Sequence, residues 1–238
     1  IAKRREQAED AGLPADLIED LLRRLIRDSY LTQEARGYRC VNPQHNNVVI
    51  IGGKGQLGKV FVKLFTCSGY QVDTIGREDW VNSEDVLANA DLVLVTVPIR
   101  LTTETIQRLT KLPEHCVLAD FTSVKNEPLQ AMLATHHGPV VGLHPMFGPD
   151  VSALIKQTII TCEGRFPEQY QWLIDQFEVW GANIYPVSAK DHDQAMSLVQ
   201  VMRHFSTISY GHHLMAEGAD INQLLEMSSP IYRLELIM

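Results

Sequence analysis

The run Val48-Val49-Ile50-Ile51-Gly52-Gly53-Lys54-Gly55-Gln56-Leu57-Gly58 constrains the fold more than any other part of the chain. Four apolar residues follow one another and stop at glycines, which suits a short strand buried on both faces. A G-x-G-x-x-G pattern then runs from Gly53 through Gly55 to Gly58, and Val60, Phe61, Leu64 and Phe65 recur at helical spacing. Strand, glycine turn and helix, in that order, form the context in which this motif cradles a dinucleotide. Gly53 is expected to make the tight turn, Gly55 to let a pyrophosphate approach the backbone, and Gly58 to let the helix sit close to the sheet. Lys54, Gln56 and Leu57 complete the candidate cofactor loop, with the helix N-terminus facing the phosphates. The competing reading, a glycine-rich turn in some other α/β protein, lacks a reason for this context.

Similar apolar runs recur at 70–75, 92–97, 116–119, 140–143 and 158–162, with helical patterns between several of them, and 183–187 reads as a last strand. Strands alternating with helices imply βαβ units and a parallel sheet. The expected class is therefore α/β, a Rossmann-type dinucleotide-binding domain with a mostly parallel sheet over residues 41–187. Residues 1–40 read as helix plus linker: Leu17, Leu21, Leu25 and Ile26 share a face, and Pro43 with neighbouring Asn residues gives linker chemistry just beyond. From Ser188 a capping box opens a helical pattern to about Glu217, and Asp220 and Ser229-Pro230 start further helices, so 188–238 is expected to be all-helical.

At 238 residues, 45% hydrophobic and 21% charged, the chain has the composition of a globular protein with a substantial core. Lys+Arg 21 against Asp+Glu 29 gives a net charge of -8, which argues against a nucleic-acid or anionic-membrane binder. The four cysteines form no CxxC pair, which argues against a zinc site or disulfide framework and for a cytoplasmic protein. No metal site is expected: the adjacent pairs His136-His137 and His212-His213 do not have helical metal-ligand spacing. No apolar run is long enough for a membrane span. The missing initiator Met and the apolar run at the other end suggest a piece of a longer protein.

Cofactor choice stays open from the residues alone. The acid expected at the end of the second strand is replaced by Gly76, followed by Arg77, Glu78 and Asp79. Arg77 suits the 2′-phosphate of NADP, Glu78 could take the ribose hydroxyls of NAD, and a solvated surface charge is the plain alternative. Three further loops fall at C-terminal strand ends, where open α/β sheets bind ligands: Val97-Pro98, Ser123-Val124-Lys125-Asn126, and His144-Pro145-Met146-Phe147-Gly148-Pro149. His144 titrates near neutral pH and suits proton removal from a hydroxyl during hydride transfer. Lys125 offers a cation for an acidic substrate, and Ser123 offers a hydroxyl or a helix N-cap. His204 and Arg233 are candidate anion contacts, or ordinary surface residues of helices.

These motifs, with Ser228-Ser229-Pro230-Ile231-Tyr232-Arg233-Leu234-Glu235-Leu236, resemble the prephenate dehydrogenase family, in its bifunctional chorismate mutase/prephenate dehydrogenase branch. The resemblance spans nearly the whole chain. It implies oxidative decarboxylation of prephenate to 4-hydroxyphenylpyruvate with reduction of NAD, in tyrosine biosynthesis. His144 would take the proton of the ring 4-hydroxyl, Ser123 would orient it, and Lys125, His204 and Arg233 would shape an anionic-substrate pocket. A homodimer and feedback inhibition by tyrosine are also implied. Asp28-Ser29-Tyr30-Leu31-Thr32-Gln33 resembles the last helix of the mutase domain, with Ser29 and Gln33 at chorismate-contacting positions; mutase activity is expected of a longer parent, not of this chain. Alternative readings are an arogenate or β-hydroxyacid-type dehydrogenase, and a non-catalytic dinucleotide-binding regulatory module.

Overall fold

The computed structural model describes residues 4, 7–8, 10–22, 37–151, 153–230 and 233. Two compact units divide it, residues 1–189 and 190–238. The first is built on one seven-stranded sheet in the order β2-β1-β3-β4-β5-β6-β7. Its strands are β1 (Asn47–Ile51), β2 (Gln71–Ile75), β3 (Leu92–Val95), β4 (Val117–Asp120), β5 (Val140–Pro145), β6 (Thr158–Arg165) and β7 (Asn183–Pro186).

Every residue of β3, β4 and β5 is buried, which is why these strands read as unbroken apolar runs rather than alternating ones. Helices α1 (Gln56–Cys67), α2 (Glu84–Ala88), α3 (Ile99–Gln107) and α4 (Asn126–Thr135) supply the crossovers between the parallel strands β1 to β5. The link from β5 to β6 contains no helix, and there the sheet departs from the parallel expectation: β6 runs antiparallel to β5. α5 (Pro167–Val179) then returns the chain so that β7 pairs parallel with β6.

The core on one sheet face is aromatic. Phe61 and Phe65 of α1 meet Phe121, Phe177 and Trp180, with ring centroids 4.4 Å apart for Phe61–Phe121 and 4.8 Å for Phe65–Trp180. Trp180 is fully buried, and its indole N–H donates to Ser68 Oγ at 2.8 Å, so the large ring carries no unmet donor. The segment read as a linker is strapped to this domain. Gln176, wholly buried on α5, accepts from Val41 N–H at 2.9 Å and from Tyr70 O–H at 2.8 Å, and donates to Arg39 C=O at 3.1 Å.

The N-terminal region shows helix at 15–22. Ser29 and Gln33, the mutase-like positions, lie outside the described residues. In the second unit, α6 (Ala189–Met196), a π-helical turn at Ser197–Val201, α7 (Met202–Ala216) and α8 (Ile221–Glu226) follow one another. Asp220 caps α8 by accepting from the N–H of Asn222 and Gln223. On α7, Phe205, Ile208 and Met215 are all exposed, at spacings that place them along one stripe. Among the described residues, no helix is long and apolar enough to cross a membrane.

Candidate active site

β1 lies between β2 and β3, so the chain leaves β1 toward one side of the sheet and later returns to the other. The C-terminal ends of β1 and β3 therefore flank a crevice at the switch point, where such sheets bind ligands. Thr96 closes its floor: both its N–H and its hydroxyl donate to Ile51 C=O, at 2.8 and 2.9 Å. The tight turn belongs to Gly52, one residue ahead of the position the motif assigned to it. Gly52 has φ +86°, and a Cβ there would stand 2.9 Å from the Thr96 carbonyl oxygen. Gly58 serves the close packing expected of it, since a Cβ would meet Gly52 O at 2.5 Å and Gly53 Cα at 2.8 Å. α1 starts from Gly55 with no side chain capping its first N–H groups and no acid in its first turn. Those donors and the positive end of the helix dipole are open to an anion.

A cleft of about 370 Å³ runs from this turn past Gly76, Arg77 and Trp80 to Val97 and Pro98. β3 ends at Val95, short of the expected 97, and Pro98 instead serves as the N-cap residue of α3. Arg108 stacks its guanidinium 3.8 Å from the centre of the Trp80 ring, forming a flat cationic wall. Lys54 turns back on the second-strand end, where its ammonium lies 2.7 Å from Asp79 Oδ2. The same oxygen accepts from Gly76 N–H at 2.8 Å. The Lys54 hydrogen bond, and after it the Gly76 N–H, hold the Asp79 carboxyl below the usual carboxylate range. Arg77 and Glu78, the two residues singled out from the sequence, are both exposed.

β3, β4 and β5 are successive neighbours, so the loops beyond them lie side by side within about 10 Å, two strand spacings. Ser123 lies half-buried in the loop after β4; the N-cap residue of α4 is Lys125, so Ser123 is not that cap. His144 is buried near the end of β5, 4% exposed and opposite Ile160 of β6. Lys125 departs from the expectation of a cation open to an acidic ligand. It is wholly buried, and its ammonium donates to Asp120 Oδ2 at 2.5 Å and to Leu143 C=O at 2.7 Å. A charge that deep needs a counter-charge, and Asp120, the last residue of β4, supplies it.

Asp120 is the residue that sequence reasoning missed. The signal was present, since a carboxylate ends the apolar strand Val117-Leu118-Ala119-Asp120. Its Oδ2 also accepts from Thr122 N–H at 2.9 Å, while its Oδ1 is buried with no hydrogen-bond partner. His204 and Arg233 lie in the second unit, both exposed; Arg233 donates to Leu225 C=O and Ser228 Oγ. Elsewhere in the first unit, buried His136 meets the Cys116 carbonyl oxygen at 2.7 Å, so its Nε2 carries the proton, and burial pushes its pKa down. Among the described residues, no group of three or more His, Cys, Asp or Glu could hold a metal ion.

The comparisons with known proteins agree on one family. Residues 70–161 match the family model of the prephenate dehydrogenase nucleotide-binding domain, and residues 188–236 that of the prephenate dehydrogenase dimerization domain. Two proteins called T-protein, from Enterobacter agglomerans and Haemophilus influenzae, are 52% and 51% identical to the chain over its full length. The chain spans 64% and 63% of the length of these two curated relatives. Among solved structures, prephenate dehydrogenase from Aquifex aeolicus superposes with a TM-score of 0.66 at 19% identity, covering 80% of this chain and 82% of that one. Its complex with hydroxyphenyl propionate and NAD+ superposes with a TM-score of 0.61 at 20% identity, covering 78% and 71%. Both domains of one family are matched, in order, behind a crevice of the geometry just described: the chain belongs to the prephenate dehydrogenase family.

Proposed function

We propose that the chain carries an NAD-dependent prephenate dehydrogenase, converting prephenate to 4-hydroxyphenylpyruvate and CO₂ in tyrosine biosynthesis. The observation that carries this reading is the buried His144 on β5, two strands along from the Val97-Pro98 end of a glycine-lined cleft. The cleft fits a dinucleotide: the uncapped N-terminus of α1 offers donors for a pyrophosphate, and Gly52 and Gly58 allow the tight turn beside it, where a Cβ would run into backbone. Bound NAD supplies the hydride acceptor.

The remaining work falls to this chain's residues. His144 takes the proton of the ring 4-hydroxyl as hydride departs from the same carbon, and loss of CO₂ leaves an aromatic ring. Ser123, on the neighbouring loop, orients that hydroxyl. Lys125 acts as a positioning residue: by gripping the Leu143 carbonyl it fixes the strand end that presents His144. His204 and Arg233 are proposed as anion contacts of the helical unit. The exposed apolar stripe of α7 is proposed as part of a homodimer interface, in line with the dimerization-domain match. The four cysteines, with no CxxC pair among them, favour the cytoplasm. On the likeness of Asp28–Gln33, chorismate mutase activity is assigned to a longer protein rather than to these residues.

The test follows reduced-nicotinamide absorbance with prephenate and, separately, arogenate. His144→Asn should lower turnover at least about a hundredfold while NAD binding persists. Near-normal turnover in that variant sinks the role of His144. Absence of turnover by the parent protein with either substrate favours a dinucleotide-binding module without catalysis. Added tyrosine in the same assay tests feedback inhibition.

A further inference from the structure

We propose that Asp79 stands in for the acid missing from the end of β2 and sets a preference for NAD over NADP. The inference rests on reading the glycine-lined cleft as a dinucleotide site. In such sites a carboxylate at the end of the second strand accepts hydrogen bonds from the adenosine ribose diol and repels a 2′-phosphate. Gly76 occupies that position and offers no side chain. The space is filled from three residues further on. A Cβ built on Gly76 would stand 3.0 Å from Asp79 Oδ2, so the carboxylate lies where a side chain from Gly76 would have reached.

The short 3₁₀ turn Asp79–Asn82 brings the chain back, and two bonds to one oxygen fix the carboxylate: Gly76 N–H at 2.8 Å and Lys54 Nζ at 2.7 Å. Both engage Oδ2, and a carboxylate has acceptor capacity for more than these two donors. The side chain is 37% exposed and lies against Gly76, which lines the cleft.

The charge balance points the same way. Lys54 would favour a 2′-phosphate if it stood alone, but its ammonium is committed to Asp79. Arg77 and Arg108 also line the cleft, but Arg77 is exposed, where solvent screens its charge, and Arg108 is stacked on Trp80. A phosphate entering here would meet a fixed carboxylate of like charge, which disfavours it.

The test is the dissociation constant of NADH and of NADPH for the 238-residue chain, measured by calorimetry and by quenching of Trp80, which lines the cleft. The parent should bind NADH at least about tenfold more tightly than NADPH. Asp79→Asn keeps an acceptor for the Gly76 N–H, removes the charge and releases Lys54, so the ratio should fall at least about tenfold, mainly through tighter NADPH binding. Lys54→Met removes a cation and keeps the carboxylate, and should preserve the preference for NADH. A ratio unchanged by Asp79→Asn, or a parent that prefers NADPH, overturns the assignment of Asp79 alone. A parent that binds neither nucleotide overturns the dinucleotide reading of the cleft, and this inference with it.

Discussion

The buried pair Lys125–Asp120 gives the sharpest test of how the site is built. Both side chains are 0% exposed, and the ammonium bridges two strands, from the Asp120 carboxylate on β4 to the Leu143 carbonyl on β5. Lys125→Met removes the cation and leaves the carboxylate in the interior, with only Thr122 N–H still donating to it and Oδ1 already without a partner. Breaking a buried pair on one side costs about 3–5 kcal/mol, and the abandoned Leu143 carbonyl adds about 1. In a unit of this size, roughly 2–4 °C of melting temperature follow each kcal/mol, so a loss of roughly 8–24 °C is expected.

Asp120→Asn in the same background removes the stranded charge and keeps an acceptor for Thr122, so most of the loss should return. Urea unfolding followed by tryptophan fluorescence is the assay. All three tryptophans (Trp80, Trp172 and Trp180) lie in the first unit, so the signal reports that unit alone. A loss below about 1 kcal/mol for Lys125→Met, with the double variant merely additive, would refute the buried ion pair as the element holding β4 to the His144 strand.

Two further expectations come from residues away from the crevice. Burial lowers the His136 pKa below its ordinary value, with Arg165 and His137 adding to the effect, so its folded state resists the proton that the unfolded chain accepts below about pH 6.5. Stability should be complete above that value and decline as pH falls below it, and His136→Gln should flatten the decline in urea midpoints between neutral and mildly acid pH. In the helical unit, Phe205→Ser combined with Ile208→Ser should shift the sedimentation of the protein from dimer to monomer, and an unchanged dimer would exclude this stripe from the interface.

The parts of the fold legible in the sequence were those where one physical cause acts alone. β3, β4 and β5 announce themselves because residues such as Leu92–Val95 are buried on both faces, and the polar residues Asp120 and His144 come only toward the strand ends. The glycine loop was legible because its glycines answer to sterics: Gly58 cannot carry a Cβ 2.5 Å from Gly52 O. Direction in the sheet was not legible, since the run at Thr158–Arg165 is equally apolar whichever way it runs; the helix-free link from β5 decides it. The turn role moved from Gly53 to Gly52 because a motif fixes spacing, while the steric exclusion at Gly52 comes from the Thr96 carbonyl, which lies far away in sequence. Lys125 misled for a related reason. Lysines are rarely fully buried, so an open cation was the natural reading, and only the fold reveals that Asp120, five residues upstream, neutralises it.

That correction changes how the crevice must hold an anion. Reading cations off the sequence credits it with Lys54 and Lys125, yet each ammonium is bound to a carboxylate, Asp79 at 2.7 Å and Asp120 at 2.5 Å. Arg108 is laid flat on Trp80, and Arg77 is exposed to solvent. Alongside these two guanidiniums, the backbone N–H groups at the start of α1 are donors that no side chain caps. Such donors are fixed, carry no rotamer entropy to lose, and are screened little by salt compared with exposed side-chain charges. Dinucleotide affinity should accordingly weaken only a few-fold when ionic strength rises tenfold, whereas a site held by free lysines would lose far more. A steep salt dependence of NADH binding would mean that Lys54 leaves Asp79 when the pyrophosphate arrives, and the charge account of the crevice would have to be redrawn around that exchange.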